Sequence, residues 1–260
     1  VKIAIEALGI QNFGGPRTAI LGMLEGLAAI NTVDQFRVFL TRPEPALSPF
    51  PNFEQVILPT INRFGARIAL QARMPGLVYG FDLVHFTKNL TAATFGVPYV
   101  VTVHDLTAVV HPEIYRISDV IYWRYIEKIS LRQAKKVIAV SQTTAQDLQR
   151  LYQLPADQVQ TIYNAISPEY KPASPEDILR VRQKYQIPEK YILHVGRIDV
   201  KKNLPTLVKA FDLYHKQSGD TRTALVLVGQ VYPKSPDPDL IPTIERLGLQ
   251  QSVILTGGVA

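Results

Sequence analysis

Residues 194–211 read HVGRIDVKKNLPTLVKAF. Their first residues complete an apolar run, YILHV (191–195), of the length of a buried strand. Their last place Leu204, Leu207, Val208 and Phe211 at helical spacing. Between strand and helix lies a turn holding Gly196, Arg197, Lys201, Lys202 and Asn203. In parallel α/β sheets, ligands sit beyond the carboxyl ends of strands. Helix N-termini there offer unpaired N–H groups and the positive end of a dipole to an anion. Gly196 permits a tight exit from the strand, and Arg197 and Lys202 can add charge-assisted hydrogen bonds to phosphate oxygens. Pro205 falls in the first turn, where proline is tolerated. A solvated loop before a capped helix has the same spacing, so the stretch predicts strand–turn–helix and nominates an anion site.

The same alternation extends over the chain. VKIAIEAL, QFRVFL, FEQVIL, DLVHF, PYVVTV, KVIAV and VQTIY read as strands, with helices over 18–29, 115–134 and 143–154. Short apolar strands alternating with helices predict an α/β fold with mostly parallel sheets covered on both faces. NAISPEYKPASPED, 164–177, interrupts the rhythm with three prolines and two serines and reads as a linker. A helix (ILRVRQKYQ) follows, and YILHV, ALVLV and SVILT restart the pattern. Two domains are therefore expected, 1–172 and 173–260. The second reads as unfinished, with three strands and two linking helices.

At 260 residues, with 47% hydrophobic and 19% charged residues, the composition is globular. There is no cysteine, which excludes disulfides and thiolate metal sites. The net charge of +6 divides evenly, +3 on residues 1–172 and +3 on 173–260. A basic balance suits phosphate-bearing ligands or an anionic surface, and its even spread argues against a nucleic-acid partner. No leader or membrane-spanning run is visible, so a cytoplasmic location is the expectation.

Other candidate sites follow strand ends. Gly14 and Gly15, between the first strand and the next helix, would let backbone N–H groups approach a ligand, with Arg17 adding charge; a turn needing positive φ accounts for them equally. There is neither a P-loop nor a dinucleotide fingerprint. PYVVTVHDL, 98–106, ends in His104 and Asp105; such a histidine can donate a hydrogen bond to a ligand or act as acid or base. His85 and His194 are expected to be packed structurally. Ser141 lacks a nucleophile elbow and reads as a helix N-cap. Asp237 and Asp239, between prolines, read as turn and cap residues and not as a metal site. Segment 61–74 sets Arg63, Arg67 and Arg73 beside Phe64, Ile68 and Met74, a basic amphipathic stretch able to dock on an anionic membrane surface.

Taken together and in this order, HVGRIDVKKNLPTLVKAF, ALVLVG, LGLQQSVILTGGV, the Gly-Gly loop, DLVHF, VTVHDLTAVVHPE, KVIAVSQTTAQDL and IYNAISPEYKP resemble the GT-B fold glycosyltransferases of family 4, the retaining, nucleotide-sugar-dependent group. The resemblance implies a GT-B type fold of two Rossmann-like domains. It implies that Arg197 and Lys202 bind the donor diphosphate and stabilise the leaving group, with Gly196 beside them, and that His104 contacts the transferring sugar. By the same resemblance Gly14 and Gly15 lie near acceptor and donor phosphate, and Asp105 and Asn164 are candidate acceptor or sugar contacts. The implied substrate is a UDP-, GDP- or ADP-sugar, the acceptor a carbohydrate, lipid-linked or small molecule, with no cofactor and no metal. Asn164-Ala165 replaces the family's Asn-Gly, and the family's E-x₇-E segment lies beyond residue 260. The chain is accordingly read as a fragment, inactive alone. The rival readings are a GT-B sugar-nucleotide epimerase and a non-catalytic sugar-nucleotide-binding partner subunit.

Overall fold

The computed structural model describes residues 1–11, 14–58, 73–89, 96–167, 170–231 and 236–259. The chain divides into two compact units, Val1–Pro168 and Glu169–Ala260.

The first unit is built on seven strands: β1 Lys2–Glu6, β2 Gln35–Leu40, β3 Phe53–Ile57, β4 Leu83–Phe86, β5 Tyr99–Val103, β6 Lys136–Ala139 and β7 Val159–Thr161. Their order is β3-β2-β1-β4-β5-β6-β7, every pair parallel. The order reverses between β1 and β4, so crossovers on either side run to opposite faces and leave a crevice above the carboxyl ends of β1, β4 and β5. Two apolar clusters cover the sheet. Ile5, Ile20, Leu24, Val38 and Leu40 belong to one, and Phe39, Phe86, Val101, Val103 and Leu148 to the other. Each such side chain contributes about 1.5–3 kcal/mol on leaving water; β1, β2 and β3 send residues into both clusters, whereas β4, β5 and β6 are anchored through Val84, Phe86, Val101, Val103, Val137 and Ala139 in the second.

The helix Gly15–Ile30 starts where Gly14 takes φ +114°, a backbone region L-residues avoid, with Pro16 in the first turn. Helix Gln142–Tyr152 is capped as expected, Ser141 Oγ accepting from the Thr144 N–H at 3.0 Å. The long helix expected over 115–134 is instead composite. A 3₁₀ turn (Pro112–Ile114) precedes an α segment Ile117–Ile121, a π segment Tyr122–Glu127 and a second α segment Lys128–Gln133. Such a widened turn is a local feature that apolar periodicity does not reveal.

The second unit carries β8 Tyr191–Val195, β9 Ala224–Val228 and β10 Val253–Gly257, parallel, in the order β10-β9-β8. Helix Pro175–Tyr185 precedes β8 and is capped by Ser174, which accepts from the Asp177 N–H. Helices Leu204–Ser218 and Leu240–Arg246 pack Leu204, Val208, Phe211 and Ile244 against Leu225 and Leu227 of β9. Among the described residues β8 lies at one end of this three-stranded sheet, with Leu193 and Val195 more than half exposed. Among the described residues, no helix is long and apolar enough to cross a membrane.

Candidate functional site

In the first unit the chain places Glu6, Lys88, His104 and Asp105 at the ends of β1, β4 and β5, where the strand order reverses. A cavity of about 220 Å³ opens there, lined among others by Pro16, Lys88, Asn89, His104, Asp105 and Glu127. A larger one, about 820 Å³, lies at the amino-terminal ends of β1 and β2 beside Lys2, Gln35 and Tyr79. Open parallel α/β sheets bind ligands outside the carboxyl ends of their strands, where the order reverses, so the smaller cavity is the functional candidate.

His104 is held from three sides. Its Nε2 lies 3.0 Å from the Thr87 carbonyl oxygen, its N–H donates to Asn89 Oδ1 at 3.1 Å, and its carbonyl accepts from Thr144 Oγ1 at 3.4 Å. A carbonyl can only accept, so Nε2 carries the ring hydrogen. With that donor spent on Thr87, the neutral ring offers a ligand only the acceptor Nδ1, and donates there only as imidazolium. Asn89 Nδ2 donates to the Asp105 carbonyl at 2.8 Å, so one amide brackets the His104–Asp105 peptide from both sides. Asp105 is exposed and uses Oδ1 to accept from the Thr107 N–H at 2.9 Å.

Three buried titratable groups of the first unit are shifted by burial, and Glu127 among them lines the cavity. Burial pushes the Glu6 carboxyl up to about 7, although its contact with the Leu8 N–H and the Lys88 charge pull it down. Burial pushes Glu127 up to about 8, against the pull of Tyr152 and Asn89. Burial lowers His85, packed as expected and 2.8 Å from Thr102 Oγ1, to about 4. Each raised carboxyl binds a proton that the unfolded chain has released, so its stabilisation is complete below about 4.5 and lost by pH 7 for Glu6 and 8 for Glu127. The neutral histidine has the opposite slope, its stabilisation lost as pH falls from 6.5 to about 4. Two groups outweigh one, so the thermal midpoint should fall as pH rises from about 5 to about 7. Glu6→Gln should reduce that fall and His85→Gln should steepen it. Parallel midpoint–pH curves for wild type and both variants would contradict the assignment.

The Gly14–Gly15 turn faces open space, with no atom within 4 Å of a Cβ built on either residue. Arg17, expected to charge this turn, is directed elsewhere: it donates to the Ile10 carbonyl at 2.8 Å and pairs with Glu44 at 3.1 Å. Asn164 is exposed in the segment after β7, apart from the cavity lining. Ala165 there has negative φ, so the turn runs without a glycine. Most of the basic stretch 61–74 falls outside the described residues. Met74 does not, and it is fully buried in the core, which removes it from the set of insertable groups.

In the second unit the turn after β8 is shaped by close backbone packing. Gly196 N–H donates to the Val228 carbonyl and Ile198 N–H to that of Gln230, both at 2.9 Å. A Cβ at Gly196 would lie 3.2 Å from His194 Nε2, a buried nitrogen with no hydrogen-bond partner. Arg197 Nε lies 3.8 Å from Oδ2 of Asp199, which is 1% exposed and whose Oδ1 has no partner. Lys202 closes a 3₁₀ turn, Val200–Lys202, its N–H donating to the Asp199 carbonyl at 3.0 Å. Asn203 then takes φ +50° and starts the helix, accepting from Thr206 Oγ1 at 2.8 Å. A non-glycine residue in that region costs about 1–3 kcal/mol, and such strain collects at ligand sites. Gly196, Arg197 and Lys202 thus share the turn between β8 and the helix Leu204–Ser218, and Lys202 Cε lies 4.0 Å from the place of a Cβ on Gly196. Asp237 Oδ1 accepts from the Asp239 N–H at 3.1 Å, a turn contact.

Sequence reasoning missed Glu6, Lys88, Asn89 and Glu127 in the first unit, and Asp199 and Gly229 in the second. Glu6 carried a readable signal, a carboxylate in an apolar strand. The others carried none.

The sequence model of Glycosyltransferase Family 4 matches residues 13–170. The chain belongs to Glycosyltransferase Family 4. Among curated relatives, this family 4 chain is 28% identical over 246 residues to O-antigen chain mannosyltransferase B of Escherichia coli, covering 87% of itself and 62% of that protein. It is 26% identical over 201 residues to alpha-D-kanosaminyltransferase of Streptomyces kanamyceticus, covering 75% and 50%. It therefore spans less than two thirds of the length of these relatives. Two solved structures share its fold: Anabaena HepE in complex with UDP and glucose, at TM-score 0.73 and 20% identity, and WaaG, a glycosyltransferase involved in lipopolysaccharide biosynthesis, at TM-score 0.72 and 20% identity. Each alignment covers all of this chain and 70% of the other. The fold of this family 4 chain is α/β and of GT-B type, with Rossmann-like parallel sheets.

Proposed function

We propose that the protein is a retaining glycosyltransferase that moves a hexose from a nucleotide diphosphate sugar to a carbohydrate or lipid-linked acceptor. The observation that carries this reading is the turn Gly196–Asn203, which holds Arg197 and Lys202 between a strand end and a 15-residue helix, with Lys202 Cε 4.0 Å from the place of a Cβ on Gly196. Arg197 and Lys202 would hold the diphosphate there. Asp199, buried beside Arg197, would fix the guanidinium's direction at the cost of part of its charge. In the first unit, His104 and Asp105 line a cavity whose polar groups suit sugar hydroxyls. Family membership and the mannosyl and kanosaminyl relatives support the transfer of a sugar. The UDP and glucose bound by HepE support a nucleotide-sugar donor. Attachment to an anionic membrane surface through Arg63, Arg67 and Arg73 belongs to the same proposal, since each cation near such a surface contributes about 1 kcal/mol.

A thermal-shift panel of UDP-, GDP- and ADP-sugars tests the donor reading. At a ligand concentration about a hundredfold above Kd, binding adds about 2.7 kcal/mol, enough to raise the midpoint by several degrees. One nucleotide class should shift the midpoint, and Arg197→Ala should reduce that shift more than Lys202→Ala does. No response to any nucleotide sugar or free nucleoside diphosphate would refute the donor site.

A further inference from the structure

Tyr152 Oη lies 2.6 Å from the Trp123 carbonyl oxygen and 2.8 Å from Glu127 Oε2. Both are hydrogen-bond distances between oxygens, so each contact needs a hydrogen of its own. The phenol has one hydrogen and the carbonyl has none. Tyr152 therefore donates to Trp123, and the hydrogen in the second contact comes from the Glu127 carboxyl. An ionised Glu127 would leave two oxygens facing each other with nothing between them. The π segment Tyr122–Glu127 supplies both the Trp123 carbonyl and the Glu127 side chain to the one phenol.

The other carboxyl oxygen, Glu127 Oε1, is buried and has no partner in hydrogen-bond geometry. The Asn89 amide lies against this carboxyl, and both residues line the cavity below His104. Asn89 has already committed one Nδ2 hydrogen to the Asp105 carbonyl and its Oδ1 to the His104 N–H. Its second Nδ2 hydrogen is the donor nearest in kind to what Oε1 needs. We propose that Glu127 is a neutral carboxylic acid in the folded protein and that, through Asn89, it positions the His104–Asp105 segment at the mouth of the cavity. The hydrogens then run in one direction, from Asn89 to Glu127, from Glu127 to Tyr152 and from Tyr152 to Trp123, and every group in the chain is served.

The charged and titratable surroundings favour the neutral form. Asp105 presents a like charge, and burial opposes ionisation most strongly. Arg124 and Tyr122 act on Tyr152, whose own titration is pushed up by burial and by Glu127. Lys88, His104 and Tyr115 complete the titratable lining of the cavity, with Lys88 itself lowered by burial. Ionisation near pH 8 would strand the Tyr152 hydrogen between two acceptors and draw Asn89 toward the new charge, away from the His104–Asp105 peptide. This deepens the transferase reading by adding a positioning residue to the same site. It is tested by following a proton, so its failure is separate from failure of nucleotide-sugar binding.

The experiment is infrared difference spectroscopy of the complete chain between about pH 6.5 and about pH 9.5, with the Asn89 side-chain and His104 backbone amides followed by NMR. Wild type should lose a protonated-carboxyl C=O band with a midpoint near 8, distinct from any band of Glu6. Glu127→Gln, whose amide donates to Tyr152 and accepts from Asn89, should lack that band and hold both amide signals constant over the range. Glu127→Ala should displace the same signals at every pH. If Glu127→Gln does not fold, Tyr152→Phe should move the band midpoint by at least about half a pH unit, because the acceptor of the Glu127 hydrogen is gone. Identical wild-type and Glu127→Gln spectra, or an unmoved midpoint in Tyr152→Phe, would overturn the neutral acid. A carboxyl that titrates while Asn89 and His104 stay still would overturn the positioning role.

Discussion

Lys202→Ala should lower kcat by about a hundredfold in the full-length protein at saturating donor, an activation cost of about 2.7 kcal/mol. When the glycosyl bond to a nucleoside diphosphate breaks, negative charge develops on the departing phosphate oxygens. A cation already in place stabilises that charge without reorganising at the moment of reaction. Lys202 is suited to this by where its backbone is fixed. Its N–H is bonded to the Asp199 carbonyl, and the next residue is locked at φ +50°. The stem therefore leaves a rigid turn, and its Cε lies 4.0 Å from the position a Cβ on Gly196 would take. Arg197 differs, because Asp199 stands 3.8 Å from its Nε and already balances part of its charge. Its loss should fall more on donor affinity, and that of Lys202 more on the chemical step. Quantifying nucleoside diphosphate release under single-turnover and steady-state conditions separates the two. Unchanged turnover in Lys202→Ala would remove the residue from leaving-group stabilisation.

The fold was legible because each strand is a short apolar run and each crossover has helical spacing, two periods that do not mimic each other. The strand-end positions of His104 in the first unit and of Gly196, Arg197 and Lys202 in the second could be read, because each lies within a few residues of the end of an apolar run. Glu127 could not. It lies inside a helical stretch, where a carboxylate ordinarily faces solvent, and it gains meaning only from Tyr152, 25 residues later, and from a loop after β4. Arg17 was misread for the converse reason, since a cation beside a glycine turn looks available until a buried Glu44, 27 residues away, is found to hold it. What sequence conveys is local geometry; which polar groups meet across the crevice depends on strand order.

Gly229→Ala should lower the thermal midpoint of the second unit by roughly 10–20 °C, through a cost of about 3 kcal/mol. Gly229 follows β9 with φ +150°, and a Cβ built on it would stand 1.7 Å from the Gly196 carbonyl oxygen and 2.7 Å from its carbon. No side-chain rotation relieves a clash with backbone, so the ends of β8 and β9 must separate or the strand must change conformation. Either response strains the bonds that shape the turn: Gly196 N–H to Val228, Ile198 N–H to Gln230, and Gly229 N–H to Gly257 on the far side. The damage is directed, because Gly196 opens the turn that carries Arg197 and Lys202. Hydrogen exchange should therefore accelerate at Gly196 and Ile198, while the amides of β1, β4 and β5 keep their protection. A variant in which Gly229→Ala leaves both midpoint and exchange unchanged would show that β8 and β9 do not approach this closely. With a distorted turn and an intact first unit, the variant should also lose its response to nucleotide sugars, linking the glycine to the charge site it shapes.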